Sequence, residues 1–394
     1  MLGNLQVLKV NRCGQLKKLP KDIIKLVNLR CLEVGGCYNL VGMPRGLRQL
    51  TSLQSLSCFK LGEKDGDFAD LNELNQLIIN LRGGLAIEEL QNATSKPTLS
   101  NLKAAQHIQS LEFYWTAFGF GESQYDDLVL ESLEPHQNLK YLVIDGFQGM
   151  RIPNWLSTLR NLIGIQITHC YYCRHLPALD QLPSLKRLSL LTAVEYISDA
   201  SYTMSMSFFP SLEELEILTC TNLKGWWRRD DGDIMQLKDL PAFPCLSNLY
   251  IDDCPNLTSM PLCSSLEDLT IYGSSLKPLE KMMSNVPSST PSISAGLLSR
   301  LKSLRISYPD TLDLLTEEYD KQWEALTSLR SVELSVLHEL VSLPKGFQRV
   351  TSLQSLKIWF CDNLTVLTEG MHLQYLEIKE CPQLLEKWWK QYGC

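Results

Sequence analysis

The sequence contains no apolar run approaching the roughly 20 residues a helix needs to cross a bilayer, and no charged-then-apolar leader opens it. These two absences predict a soluble intracellular chain. An excess of positive charge is also lacking: 37 Lys and Arg stand against 44 Asp and Glu, giving a net charge of −7 and a pI near 5.5. Nucleic acid is therefore a poor expected partner. No G-x-x-x-x-G-K-[ST] loop is present to cradle phosphates, and no nucleophile elbow accompanies the scattered His107, His136, His169, His175, His338 and His372. Paired carboxylates such as Asp252 with Asp253, or Glu213 with Glu214, fit a solvated face better than an acid–base pair. Neither an enzyme nor a cofactor is expected. Thirteen cysteines, an odd number without a leader, argue against a secreted disulfide framework, and without a leader the N-x-[ST] triplets at Asn92, Asn256 and Asn363 are chance matches.

What is present is a repeat. With 394 residues, 44% hydrophobic and 21% charged, the chain could hold two or three domains or one repeat array. Residues 5–20, LQVLKVNRCGQLKKLP, are answered 24 residues later by LRCLEVGGCYNLVGMP at 29–44, both fitting L-x-x-L-x-[LIV]-x-x-C-x-x-L. Units of this kind begin at Leu5, Leu29, Leu53, Ile108, Leu139, Leu162, Leu185, Leu212, Leu246, Leu266, Leu301, Leu329, Leu353 and Leu373. That is the leucine-rich-repeat signature. It predicts an α/β solenoid: a horseshoe of about 14 repeats over residues 1–394, with a parallel concave β-sheet and an irregular or short-helical convex side. One repeat cannot bury its own apolar face, but a stack can.

Cys13, Cys37, Cys170, Cys220, Cys254, Cys361 and Cys381 fall just after the predicted strands, where a small side chain can stack on its counterpart and bond bare backbone groups. Cys170 and Cys173 with His169 and His175 are the one cluster of metal-ligand types, but four ligands with a second C-x-x-C are wanting, so no metal is expected. The pattern lapses at about 61–107, where Leu71, Leu74 and Leu77 suggest a helix and Leu85, Ile87 and Leu90 an additional strand. Loops are expected at 116–127, 198–207, 226–233 and 284–294. Leu384, Leu385, Trp388 and Tyr392 sit at helical spacing, predicting a closing helix at about 383–392. The repeat starts at Leu5 with no polar cap, which predicts a neighbour supplied from elsewhere.

The outward positions of the strands carry the expected partner-binding surface: Tyr114, Trp115, Tyr141, Tyr250, Asp252, Tyr272, Arg305, Tyr308, Lys357, Trp359, Phe360 and Tyr375. Tyr, Trp and Arg dominate interface energetics, although neighbouring aromatics can also stabilise a sheet by stacking on one another. Near the start, Lys9, Arg12, Arg30, Arg45 and Arg48 make a basic end in an acidic chain, either a docking surface for an acidic neighbour or a merely solvated face.

Several phrases go beyond the generic repeat. LESLEPHQNLKYLVIDGFQGMRIPNWL (130–156), CYYCRHLPALDQLPSLKRLSL (170–190), FPSLEELEILTCTNLKGW (209–226), FPCLSNLYIDDCPNLTSMP (243–261), the island RGGLAIEELQNA and the final ECPQLLEKW resemble the repeat domain of plant coiled-coil, nucleotide-binding, leucine-rich-repeat (NLR) disease-resistance proteins. The resemblance implies non-enzymatic recognition of a pathogen effector or a guarded, effector-modified host protein. It further implies restraint of an adjoining nucleotide-binding domain, and a cytoplasmic site that extends to the nucleus or a membrane periphery through partners. Lacking the phosphate loop, the chain is expected to be a fragment or a truncated relative. A stand-alone intracellular scaffold or the substrate receptor of a ubiquitin ligase is the alternative, although no F-box-like segment precedes Leu5.

Overall fold

The computed structural model describes residues 2–63, 66–93, 101–116, 124–198, 208–227, 242–284, 298–309, 312–316 and 319–386. Most of the predicted loops at 116–127, 198–207, 226–233 and 284–294, together with Trp388 and Tyr392, lie outside them. The chain divides into two compact units, 1–194 and 195–394.

In the first unit, β1 (Val7–Lys9), β2 (Cys31–Glu33) and β3 (Ser55–Leu56) pair in parallel in that order. A second parallel run holds β4 (Cys58–Lys60), β5 (Gly83–Glu88), β6 (Ile108–Tyr114), β7 (Tyr141–Asp145), β8 (Gly164–Cys170) and β9 (Arg187–Thr192). The register explains the leucine spacing. Leu111, Leu142, Ile165 and Leu188 form one inward row and Phe113, Ile144, Ile167 and Leu190 the next, every one buried, because side chains two apart share a face of a strand. The interrupted stretch contributes helix α1 (Leu71–Leu77) as well as β5. Asp70 starts α1 by accepting from the amides of Asn72 and Glu73 at 3.0 and 3.1 Å. Glu73, buried, then accepts from the Gly46 amide of the preceding coil at 2.8 Å.

In the second unit, β10 (Tyr196–Ser198) pairs with β12 (Gly225–Trp227), while β11 (Glu214–Leu218), β13 (Asn248–Asp252), β14 (Asp268–Tyr272), β15 (Ser303–Ser307), β16 (Ser331–Ser335), β17 (Ser355–Trp359) and β18 (Tyr375–Lys379) pair in parallel, in step, five residues each. The return segments are short: the 3-10 turn Lys345–Arg349 follows Pro344, as Lys21–Lys25 follows Pro20 in the first unit. Helix α2 (Gln124–Glu131) in the first unit and helix α3 (Lys277–Ser284) in the second replace such turns. Each unit is thus a leucine-rich-repeat solenoid.

The strands leave the sheet by one device. Arg12, Glu89, His169, Thr219, Asp253, Tyr308, Val336, Phe360 and Glu380 have φ between +48° and +61°, a left-handed conformation that costs an L-residue roughly 1–2 kcal/mol. Gly36, Gly146 and Gly273 do the same in other coils. The reversal lets the following residue drop into the core, and in six coils that buried residue is a ladder cysteine, while the seventh, Cys13, stays exposed. Cys170 Sγ bonds the Thr168 carbonyl at 3.1 Å, Cys254 that of Asp252 at 3.3 Å and Cys381 that of Lys379 at 3.2 Å. The ladder crosses coils too, since the Cys361 amide donates to Cys381 Sγ at 3.4 Å. None of the seven forms a disulfide; six are buried, and Cys13 is exposed. Burial pushes the Cys170 thiol well up and the Cys361 thiol up to about 12, leaving little thiolate to react. A thiol-alkylating reagent at neutral pH should therefore label Cys13 and Cys245, both exposed, and spare Cys170, Cys220, Cys254, Cys361 and Cys381 until the chain unfolds. Peptide mass spectrometry showing Cys361 labelled as fast as Cys13 would contradict the buried ladder.

Candidate protein-binding surface

On the solvent-facing side of the second unit's sheet, three rows run across the strands. The central row reads Glu216, Tyr250, Thr270, Arg305, Glu333, Lys357, Glu377. From Arg305 onward its charges alternate, and Arg305 Nε lies 3.8 Å from Glu333. In the outer row Trp359 stands in register with Lys379 and is held between two cations: Lys357 Nζ lies 5.5 Å and Lys379 Nζ 5.0 Å from its ring centroid. Its indole N–H is covered and makes no hydrogen bond. Lys379 also pairs with Glu377, and Tyr375 Oη donates to the same carboxylate at 2.9 Å. Those hydrogen bonds, from Lys379 first and then Tyr375, hold the Glu377 carboxyl below its ordinary range. Toward the other end, Tyr250 Oη donates to Asp252 at 3.4 Å. Burial raises the Asp252 pKa, and Tyr272 stands exposed in register beside it.

The first unit presents two more of the expected residues. Tyr141 is exposed at the start of β7, its ring across Gly164 of the next strand, where an added Cβ would meet Cδ1 at 3.0 Å. Tyr114 ends β6 half-buried, with its hydroxyl donating to Glu112 at 2.9 Å; burial and then that carboxylate raise its pKa. Next to it, Glu89 accepts from Thr116 and Gln91 and lies 3.4 Å from Lys60. Burial works against the Glu89 carboxylate, but these partners outweigh it and lower its pKa. A carboxylate with a lowered folded value stabilises the fold above its ordinary value of 4.5 and loses that contribution as pH falls through the folded value. Glu89→Gln should accordingly lower the melting temperature at pH 7 and flatten its decline between pH 5 and pH 3. An unchanged acid profile would remove Glu89 from the account.

Two expectations need correction. Trp115 is not on the surface: it is 4% exposed and packs edge-on against Phe147 with centroids 5.3 Å apart, because β6 ends at Tyr114 and the strand alternation stops with it. Tyr308 and Phe360 are exposed but sit one residue beyond β15 and β17, in the left-handed exit turns. They form part of a rim rather than of the sheet face. The basic residues occupy several segments of the first unit. Lys9 ends β1 and pairs with Glu33 at 2.8 Å, Arg12 occupies an exit turn, Arg30 precedes β2, and Arg45 and Arg48 lie on the return segment, Arg45 3.9 Å from Asp67. Sequence reasoning missed Val336, Glu333, Glu377, Lys379 and the role of Gly164; the two-residue alternation marks the strand residues among them as outward, whereas nothing local marks Val336.

Residues 69–193 match a family model described as R13L1/DRL21 LRRs. Disease resistance protein RGA1 of Solanum bulbocastanum is 34% identical over 299 residues, 74% of this chain and 27% of that protein. RGA2 of the same species is 33% identical over 65% of this chain. The chain's leucine-rich repeats are similar to those of plant disease-resistance proteins. Disease resistance RPP13-like protein 1 of Arabidopsis thaliana, 33% identical over 76% of this chain and 29% of its own length, extends the likeness to a second species. The chain spans about a quarter of the length of the curated relatives it matches. Among solved structures, the TLR13–ssRNA13 complex covers 96% of the chain and 55% of its own at TM-score 0.51 and 15% identity, a likeness of fold alone. Among the described residues no helix is long and apolar enough to cross a membrane.

Proposed function

We propose that this chain is a non-catalytic protein-recognition module of plant innate immunity, which senses a pathogen effector or an effector-modified host protein and restrains a nucleotide-binding switch domain. The observation carrying the first part is the Trp359 site: a large aromatic, clamped by two lysines on an open sheet face, offers the rigid anchor typical of interface hot spots. The disease-resistance relatives support the setting. The restraint rests on the first unit, where the sheet face and the return side both carry exposed cations, which suit an acidic neighbouring domain. Because Lys9 and Arg45 already have carboxylate partners, Arg12, Arg30 and Arg48 are the ones proposed to dock. Reversing these three to Glu in a receptor that carries the switch domain should weaken co-purification of separately expressed halves and raise basal signalling. Unchanged association and signalling would defeat the restraint but leave recognition untouched.

A further inference from the structure

One row on the second unit is absorbed by neither the sheet face nor the core. Tyr308, Val336 and Phe360 directly follow β15, β16 and β17, and their amides prolong the strand pairing: Tyr308 N donates to Ser335 O at 3.1 Å, Val336 N to Trp359 O at 2.9 Å and Phe360 N to Lys379 O at 2.9 Å. The three are therefore neighbours, one per coil, at the roughly 4.8 Å strand spacing. Tyr308 is 58% and Phe360 48% exposed, and Val336 is half-buried. The matching positions of the unit's other coils are Thr219, Asp253, Gly273 and Glu380, all polar or glycine. Bulky apolar side chains thus occupy three consecutive left-handed positions that glycine would fill without strain. A β-branched residue there is an outlier, and strain of this kind gathers where a surface is used.

The flanks of the row differ in charge. On the turn side stand the exposed Glu339 and Asp362, and the exposed Glu380 follows Phe360 in the row itself; the His338 ring lies 2.8 Å from Asp362, and no lysine or arginine among the described residues pairs with these three acids. On the sheet side stands Trp359 with Lys357 and Lys379. The spacing and the charge select the occupant. Three coils span roughly 10 Å, which matches the distance from residue i to i+7 in a helix rising 5.4 Å per turn, so a helix laid across the coils sets one apolar side chain on each. An added strand has no purchase here, since the backbone donors of the row are already used.

We propose that the Tyr308–Val336–Phe360 rim is a docking track for a basic amphipathic helix presented by a protein partner. It rests on the recognition reading above and names the partner's chemistry. The helix contributes apolar residues at i, i+4 and i+7 and a Lys/Arg flank toward Glu339, Asp362 and Glu380.

The test uses a fluorescent helical peptide with leucines at i, i+4 and i+7 and lysines along one flank, titrated by anisotropy into the full chain. Two control peptides have the same composition with scrambled leucine spacing, or glutamates in place of the lysines. The paired variant Val336→Gly with Phe360→Asn suits the left-handed backbone and should melt no lower than the parent, so a binding loss is not unfolding. The expected result is saturable binding weakened at least tenfold by the paired variant and by either control peptide. Equal binding of the variant or the scrambled peptide, or a preference for the glutamate peptide, overturns the track. Loss of recognition in the intact receptor through Trp359→Ala, with peptide binding indifferent to the rim, would overturn the track and leave the recognition reading standing.

Discussion

Replacing Trp359 by alanine should weaken recognition of the cognate protein about 30-fold or more while leaving the chain folded. The magnitude follows from the site. A buried indole contributes some 150–250 Å² of contact, and anchors of this kind exceed about 2 kcal/mol on truncation, which is a factor of roughly 30. Two losses combine here, because Lys357 and Lys379 at 5.5 and 5.0 Å also lose the ring that fixes their orientation. The inward Leu356 and Ile358 of the same strand are untouched and fully buried, so circular dichroism should not change and the melting temperature should fall by a few degrees at most. Isothermal titration of the effector or host protein decides the matter. A change below threefold would remove the sheet face of the second unit as the recognition surface.

Gly146→Ala should be the most damaging small substitution in the first unit, costing about 2–5 kcal/mol. Gly146 has φ +74°, and an added Cβ would lie 2.3 Å from the Trp115 carbonyl oxygen. The backbone cannot easily retreat: Gly146 N donates to Thr168 O at 3.0 Å and Trp115 N to Asp145 O at 2.9 Å, tying the turn to the coils on both sides. The left-handed conformation contributes roughly 1–2 kcal/mol, and forcing an atom into packed surroundings about 1–3 more. Thr219→Ala is the matched control. Thr219 is exposed with φ +49°, so its alanine variant adds neither a new strain nor a clash and should stay within about 0.5 kcal/mol of the parent. Urea titration of both variants separates the close approach from the turn conformation; equal midpoints would mean that the packing around Trp115 yields.

Where a side chain's direction follows from strand alternation, the sequence could be read directly. Leu249 and Ile251 point inward and Tyr250 and Asp252 outward because they alternate along β13, and the same spacing located β5 through Leu85 and Ile87. The cysteines were legible for a related reason: a small residue at a fixed distance after each strand implies a common environment, which six of the seven share. The alternation fails one residue beyond a strand. Tyr114 and Trp115 look equivalent in the sequence, yet one faces solvent and the other fills the core. Tyr308 and Phe360 were expected on the sheet and lie on its rim. The left-handed turn responsible has little local signature, since Arg, Glu, His, Thr, Asp, Tyr, Val and Phe occupy it as well as Gly, and few of those residues favour that conformation on their own.

The sequence by itself determined the repeat, the inward rows, the ladder and the choice of aromatic and charged residues on the second unit's strands. These depend on periods of two and of about 24 residues, which are properties of the chain alone. Only the tertiary structure decided which exposed residues meet. Trp359 finds its lysines on its own strand and on β18, and the rim unites residues 28 and 24 positions apart. Side chains distant in the chain become neighbours through the parallel register and the exit turns, and that register is held by backbone hydrogen bonds between coils, to which every residue type except proline contributes both a donor and an acceptor.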